Sequence, residues 1–206
     1  MGLVAKRTRL DPQVRRDLIL DQAARLAMNE GLTAVTLDRV AREADVSKGL
    51  VYTYFTSRNV LLASLLDREQ KDLRQRGIAS ILRTETFAEM IAATTRLSLE
   101  QARDRGALIG PLQADPSITL LLEATDRDER DRMVRFLVRA VRQEYDLPLD
   151  VSIGSVNMLL AVTGAAGRLV AQDQQSVDQA TETCLCLIFG GLDALAQHHR
   201  QTPVIG

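Results

Sequence analysis

Residues 36–58 read TLDRVAREADVSKGLVYTYFTSR, and their punctuation decides the fold. Thr36 is placed to cap a helix, and Asp38 falls in its first turn, where a carboxylate complements the positive end of the helix dipole. Val40, Ala41 and Ala44 give that helix one apolar face. The run Ala44-Asp45-Val46-Ser47 breaks the pattern, and Ser47 then caps a second short helix that ends at Phe55. Thr56-Ser57 stops it, and Ser57 opens a longer helix from Arg58 to about Ser80 with a stripe of Leu61, Leu62, Leu65 and Leu66. Two short capped helices joined by a turn of three or four residues predict a helix-turn-helix.

The residue types inside the second short helix suit a groove-reading surface. A recognition helix presents its first turn and one face to the DNA major groove, so small residues there let the backbone approach. Gly49 is small, and glycine inside a helix otherwise costs about 1 kcal/mol relative to alanine. Lys48 is one of only three lysines in the chain, and an ammonium here can reach a phosphate or a guanine edge. Val51 and Phe55, at i and i+4, are predicted to face inward onto Val40, Ala41 and Val46. Tyr52 is predicted to carry its hydroxyl outward to a phosphate. Two roles stand open for Leu50, packing and contact with a thymine methyl.

Working outward, Asp11-Pro12 is an N-cap followed by a first-turn proline, and Gly31 is placed as a C-cap, so a first helix spans about 12–30. Its apolar positions are Val14, Leu18, Ala23, Leu26 and Ala27. The first 16 residues carry Lys6, Arg7, Arg9, Arg15 and Arg16 against Asp11 alone. Residues 1–60 hold 10 basic and 7 acidic residues, and residues 61–206 hold 16 and 20. The net charge of −1 therefore sums an anion-facing N-terminal region and an acidic remainder.

The rest of the 206 residues is predicted to be helical as well, with helices near 84–104, 106–113, 117–124, 126–145, 149–172 and 176–199. The breaks are expected at Gly106, Gly110-Pro111, Asp115-Pro116, Asp126 and Leu147-Pro148. Seven aromatics and no tryptophan argue against a β-sandwich or barrel. Cys184 and Cys186 lie i,i+2 and point apart on a helix. His198 and His199 are adjacent near the C-terminus, which is poor spacing for a shared metal. No metal site, cofactor or catalytic constellation is expected. The 17-residue uncharged run Val151–Gly167 carries Ser152, Ser155, Asn157 and Thr163, so a buried helix is expected rather than a membrane span. The N-terminus lacks the apolar core of a signal peptide, which sets a cytoplasmic expectation.

From about Arg15 to Leu66 the chain resembles the DNA-binding domain of the TetR (tetracycline-repressor) family of bacterial transcriptional regulators. The stretches carrying the resemblance are LDQAARLAMNEGL and TLDRVAREADVSKGLVYTYFTSRNVLL. The resemblance implies an all-α homodimer of about nine helices. It has a three-helix helix-turn-helix domain at 1–60 and a helical effector-binding and dimerisation domain at 61–206, joined by helix 58–80. Residues at the family's DNA-contact positions are Thr36, Arg39, Ser47, Lys48, Gly49, Tyr52, Thr53, Tyr54 and Arg58. Of these, Thr36, Tyr52 and Arg58 match backbone anchors, and Lys48, Gly49 and Thr53 match positions nearer the bases. Leu50 stands where a small or hydroxylated residue is common, and Thr56 where proline often does.

The resemblance also implies double-stranded DNA with a palindromic operator, a second copy of the chain and a small-molecule effector as partners. The apolar run from Cys184 to Ala196 and the small residues of the last two helices suit a helix buried on two sides, and the resemblance implies a four-helix dimer interface, placed here through Gly164, Gly167, Cys184, Ile188, Gly191 and Leu195; a fully buried core helix in a monomer is the alternative. Arg96 and Asn157 are the candidate effector contacts; snorkelling and interhelical bonding are their alternative roles. The expected function is a ligand-responsive repressor. The alternative is a helical small-molecule binding protein without DNA-binding activity.

Overall fold

The computed structural model describes residues 11–201, and within that range the backbone alone at 123–127, 129 and 130. Among the described residues all regular structure is helical. In chain order the helices are α1 (Pro12–Glu30), α2 (Leu37–Glu43), α3 (Lys48–Tyr54), α4 (Arg58–Ile81), α5 (Phe87–Ala114), α6 (Pro116–Tyr145), α7 (Leu149–Ala171) and α8 (Val177–Gln201), with a 3-10 turn at Leu32–Ala34. The basic residues Lys6, Arg7 and Arg9 lie outside the described range.

Local chemistry sets the boundaries at the N-terminal end. Asp11, Thr36, Ser47 and Ser57 each accept a hydrogen bond from a backbone N–H in the first turn of the helix that follows. Gly31 ends α1 at φ +82°, a backbone conformation that L side chains rarely adopt. Between α2 and α3 the chain reverses through Asp45 at φ +52°, a position where aspartate is among the tolerated non-glycine residues. The Val46 N–H donates back to the Ala41 carbonyl at 3.0 Å and closes the turn.

Three predicted breaks are corrected. α5 runs unbroken through Gly106, Gly110 and Pro111, because Leu108 and Leu112, on either side of the proline, are both fully buried and hold the helix in place. α6 is one helix through Asp126, since that stretch contains neither glycine nor proline. Gly106 is a close-packing residue: a Cβ there would overlap that of Ala171 on α7, and a Cβ on Gly167 would lie 3.3 Å from that of Ala102.

The principal core runs from α1 through α2, α3 and the first half of α4 into Leu108 and Leu112 of α5 and Ile118 and Leu122 of α6. It does not stop at residue 60. The buried stripe of α1 is Ile19, Leu20, Ala23, Ala24, Leu26 and Ala27; Val14 and Leu18, predicted to be buried, are exposed. A second core joins Val138 and Val141 of α6 to Val156 of α7 and to Cys184, Ile188, Leu192 and Ala196 of α8. Phe87 stacks edge-on in it against Tyr145 and Phe189, at centroid distances of 5.8 and 6.4 Å.

The run Val151–Gly167 is buried along one face only. α7 packs against α5, α6 and α8, yet Ile153, Met158, Leu160 and Leu169 are exposed. By length and apolar composition α7 meets the requirement for a membrane-crossing helix; a helix packed on a core with one uncovered apolar face has the same composition.

Candidate nucleic-acid interface

The helix-turn-helix presents a polar outer surface on an apolar base. Val51 and Phe55 are fully buried against Val40 and Ala41, as the i,i+4 spacing predicted. Tyr54 is half-buried at the core edge, its ring 6.4 Å from that of Phe55. Arg16 of α1 lies over the Phe55 ring, 5.5 Å from its centroid, and ties the first helix to the end of α3 by a cation–π contact. Leu50 is partly buried.

Ser47, Lys48, Gly49, Tyr52 and Thr53 form the outer face, and all are exposed. A Cβ at Gly49 would meet nothing within 4 Å. Internal packing therefore gives no reason for glycine at this position, and a close external approach does. The Ser47 hydroxyl is spent as an N-cap, accepting from the Leu50 N–H at 3.2 Å. The Thr53 hydroxyl donates to the Gly49 carbonyl at 2.8 Å.

Thr36, Tyr52 and Arg58, matched from sequence as backbone anchors, meet in space. With Leu37, Asp38, Thr56 and Ser57 they line an open pocket of about 520 Å³ between the start of α2 and the start of α4. Tyr52 is half exposed at its rim. Arg58 differs from the expectation in one respect. Its guanidinium turns inward, donating to the Val35 carbonyl at 2.8 Å and to the Leu32 carbonyl at 2.6 Å. It fastens the α1–α2 connection to α4 as well as lining the pocket.

The two other cations of this face are also engaged. Lys48 Nζ lies 2.6 Å from Asp38 Oδ2, and Arg39 Nη2 lies 2.7 Å from Glu30 Oε1. Neither pairing was anticipated from sequence. Lys48 and Asp38 are ten residues apart across a turn, beyond the reach of the i,i+4 rule.

An ion cluster that sequence reasoning missed joins this head to the rest of the molecule. Glu69 of α4 is buried. Arg105 of α5 donates to it from Nε at 2.9 Å and from Nη2 at 2.5 Å, and the Gln101 amide donates to its carbonyl at 3.1 Å. The hydrogen bonds from Arg105 to Glu69 raise the guanidinium's pKa above its ordinary value. Arg68 reaches back to α1, 2.8 Å from Asp21 Oδ1 and 3.3 Å from the Asp17 carbonyl. Nearer the turn between α5 and α6, Asn59 donates to Ser117 at 3.1 Å. Asp115 accepts from the Ser117 hydroxyl and backbone N–H, which holds its carboxyl below the usual range.

The two candidate effector contacts both lie at the surface. Arg96 is exposed and paired with Asp178 at 2.8 Å and Glu100 at 3.2 Å, both of which raise its pKa. It borders an open groove with Arg83, Glu89 and Thr181 and does not reach the interior. Asn157 is exposed, its amide donating to the Ile153 carbonyl of its own helix at 3.0 Å.

The six residues expected at a dimer interface separate into two groups. Cys184 and Ile188 are buried in the protomer's own second core, with Leu195 packed against it, and Gly167 is buried against α5. Cys184, Ile188 and Gly167 therefore face inward, and Leu195 lies at the core edge, partly exposed. Gly164 and Gly191 are exposed. They lie beside Met158, Leu160 and Ala161 on α7 and Leu187, Gly190 and Ala194 on α8, all exposed. The periodicity of α8 located its apolar residues, but only the packing separated its inner from its outer face. Burial pushes the Cys184 thiol pKa up.

Among the described residues, an all-helical fold with two short capped helices joined by a tight turn, and a clear polar outer face on the second, is a helix-turn-helix fold. Residues 19–65 match the family model of bacterial regulatory proteins, tetR family. The HTH-type transcriptional regulator BetI of Agrobacterium fabrum is 27% identical over 129 residues, covering 63% of this chain and 60% of that one. The BetI of Rhizobium meliloti is similar, and the chain spans about 61% of its length. The HTH-type transcriptional repressor KstR of Rhodococcus jostii is 44% identical over 63 residues, 31% of this chain and 30% of that one. A putative transcriptional regulator from Pseudomonas aeruginosa shares the fold with a TM-score of 0.74 at 15% identity, over 96% of this chain and 99% of the other.

Proposed function

We propose that this chain is a transcriptional repressor that binds a palindromic operator as a homodimer and leaves it when a small molecule binds the helical body. The observation that carries the reading is the convergence of Thr36, Tyr52 and Arg58 on one open pocket beside an unobstructed Gly49. A single helix-turn-helix grips DNA weakly, and a two-fold pair reads two half-sites about one helical turn apart. The uncovered apolar faces of α7 and α8 support the two-fold arrangement. They have the breadth and small-residue content of a helix-packing surface and lie away from the head. The cytoplasm is the compartment in which such a protein works.

The division of labour expected at residue 60 is retained as function, with one refinement. The head shares its core with the end of α5 and the start of α6, so a ligand that shifts those helices is coupled mechanically to the head. The effector remains a small molecule of unassigned chemistry.

Enrichment of a duplex from a randomised DNA library by the full chain tests the reading. The expected result is an inverted repeat with half-site centres one turn apart, and enrichment of no sequence overturns it. Two variants check the roles. Tyr52→Phe should weaken binding to enriched and unrelated duplexes alike by roughly two- to tenfold, the net worth of one hydrogen bond; a changed base preference would contradict its assignment as a phosphate anchor. Gly191→Leu should shift the chain from dimer to monomer in sedimentation. A Cβ at Gly191 meets nothing in the protomer, so an unshifted dimer would rule out this face.

A further inference from the structure

The two cations of the DNA-facing surface that sequence matching singled out beside Arg58 are both held by carboxylates. Lys48, the first residue of α3, has Asp38 at 2.6 Å, and the two side chains are 67% and 54% exposed. Arg39 has Glu30 at 2.7 Å. Exposed pairs of this kind add little to folding stability. Their consequence is for what the cations bind.

An ammonium offers three N–H donors. With one donor on Asp38, two remain, and a neutral acceptor such as guanine O6 or N7 takes them without displacing the carboxylate. A phosphate is different, because it competes with Asp38 for the same charge and its own charge lies close to that of the carboxylate. The pair therefore favours a base edge over a backbone oxygen. Bound this way, Lys48 contributes less to the sequence-independent attraction that counterion release provides and keeps its ability to discriminate bases.

We propose that Asp38 is a specificity-determining positioning residue: it holds Lys48 as a base-reading donor and withholds it from phosphate, with Glu30 acting in the same sense on Arg39. This rests on the reading that α3 faces DNA.

The test compares wild type, Asp38→Asn and Glu30→Gln on two duplexes across a salt series. One is the duplex enriched by the wild-type protein, the other a scrambled duplex of the same composition. With Asp38→Asn, affinity for the scrambled duplex should rise about three- to tenfold near 0.1 M salt, and the slope of log affinity against log salt should steepen by about 0.9, the signature of one added phosphate contact. Asp38 also borders the anchor pocket, so affinity for the enriched duplex should rise too, but by clearly less than for the scrambled one; discrimination therefore falls, and Asp38→Glu should restore it. Equal tightening on both duplexes would make Asp38 a simple repelling charge and overturn the proposal. An unchanged slope on the scrambled duplex would overturn it as well. Glu30→Gln repeats the measurement at a second pair should Asp38→Asn disturb the start of α2. If wild type enriches no sequence, the regulator reading falls, and the salt slope on a duplex of arbitrary sequence still decides whether Asp38 withholds Lys48 from phosphate.

Discussion

Phe55→Ala should lower the free energy of unfolding by about 3–5 kcal/mol, the range for deleting a fully buried aromatic side chain. Phe55 has no exposed surface and is the bulkiest of the fully buried side chains. It sits where the end of α3 meets α1 and α4, and Arg16 stacks on its ring. The cavity would open at the base of the recognition helix, so the loss should appear twice. Urea unfolding should report the lower stability, and DNA affinity should fall further than removal of any single surface contact. A variant that keeps wild-type stability would show that Phe55 is not the anchor of α3. That position also tests why three of the chain's seven aromatics lie within residues 52–55. Tyr52 points out, Tyr54 straddles the core edge and Phe55 holds the helix down.

The second large effect is expected at Glu69. Replacing it by alanine removes the carboxylate that Arg105 and Arg68 share and leaves a partly buried guanidinium without its partner. Breaking a fully buried pair costs about 3–5 kcal/mol. Arg105 retains 30% exposure, so solvent offsets part of that, and about 2–3 kcal/mol is expected in urea unfolding. The arginine side of the pair carries no pH dependence into the working range. Its pKa is raised, so its contribution is present below its ordinary value and lost only as pH rises through the higher folded one. Beyond stability, the cluster links α1, α4 and α5. Probes placed on α1 in the two subunits of the proposed dimer should show a broader distribution of distances in Glu69→Ala than in wild type. An unchanged distribution would show that the shared core alone sets the angle of the head.

Much of the head was legible in sequence because its determinants are local. Caps lie within three residues of the N–H groups they accept from, and the inward face of α3 follows from a spacing of four. Four capping residues, the glycine stop of α1 and the buried pair Val51 and Phe55 are where those rules put them. The same rules misplaced the breaks in α5 and α6. Glycine and proline are average signals for a helix end, and the burial of Leu108 and Leu112 outweighed them.

What the contact residues do was less legible. The outer position of Lys48 and Arg39 follows from periodicity, yet their pairing with Asp38 and Glu30 does not. The inward turn of Arg58 depends on carbonyls 23 and 26 residues earlier. Nothing local to α4 marks Glu69 as buried, because its partner Arg105 lies 36 residues on.

The sequence by itself determined an all-helical chain, the helix-turn-helix and the identity of its outward side chains, since each rests on hydrogen bonds and periodicities that close within a turn or two of helix. Only the tertiary structure decided that the head and body share one core, which faces of α7 and α8 remain uncovered, and that Lys48 and Arg39 are already held by carboxylates. Those outcomes depend on which distant groups become neighbours, and proximity of that kind is created by packing the helices together.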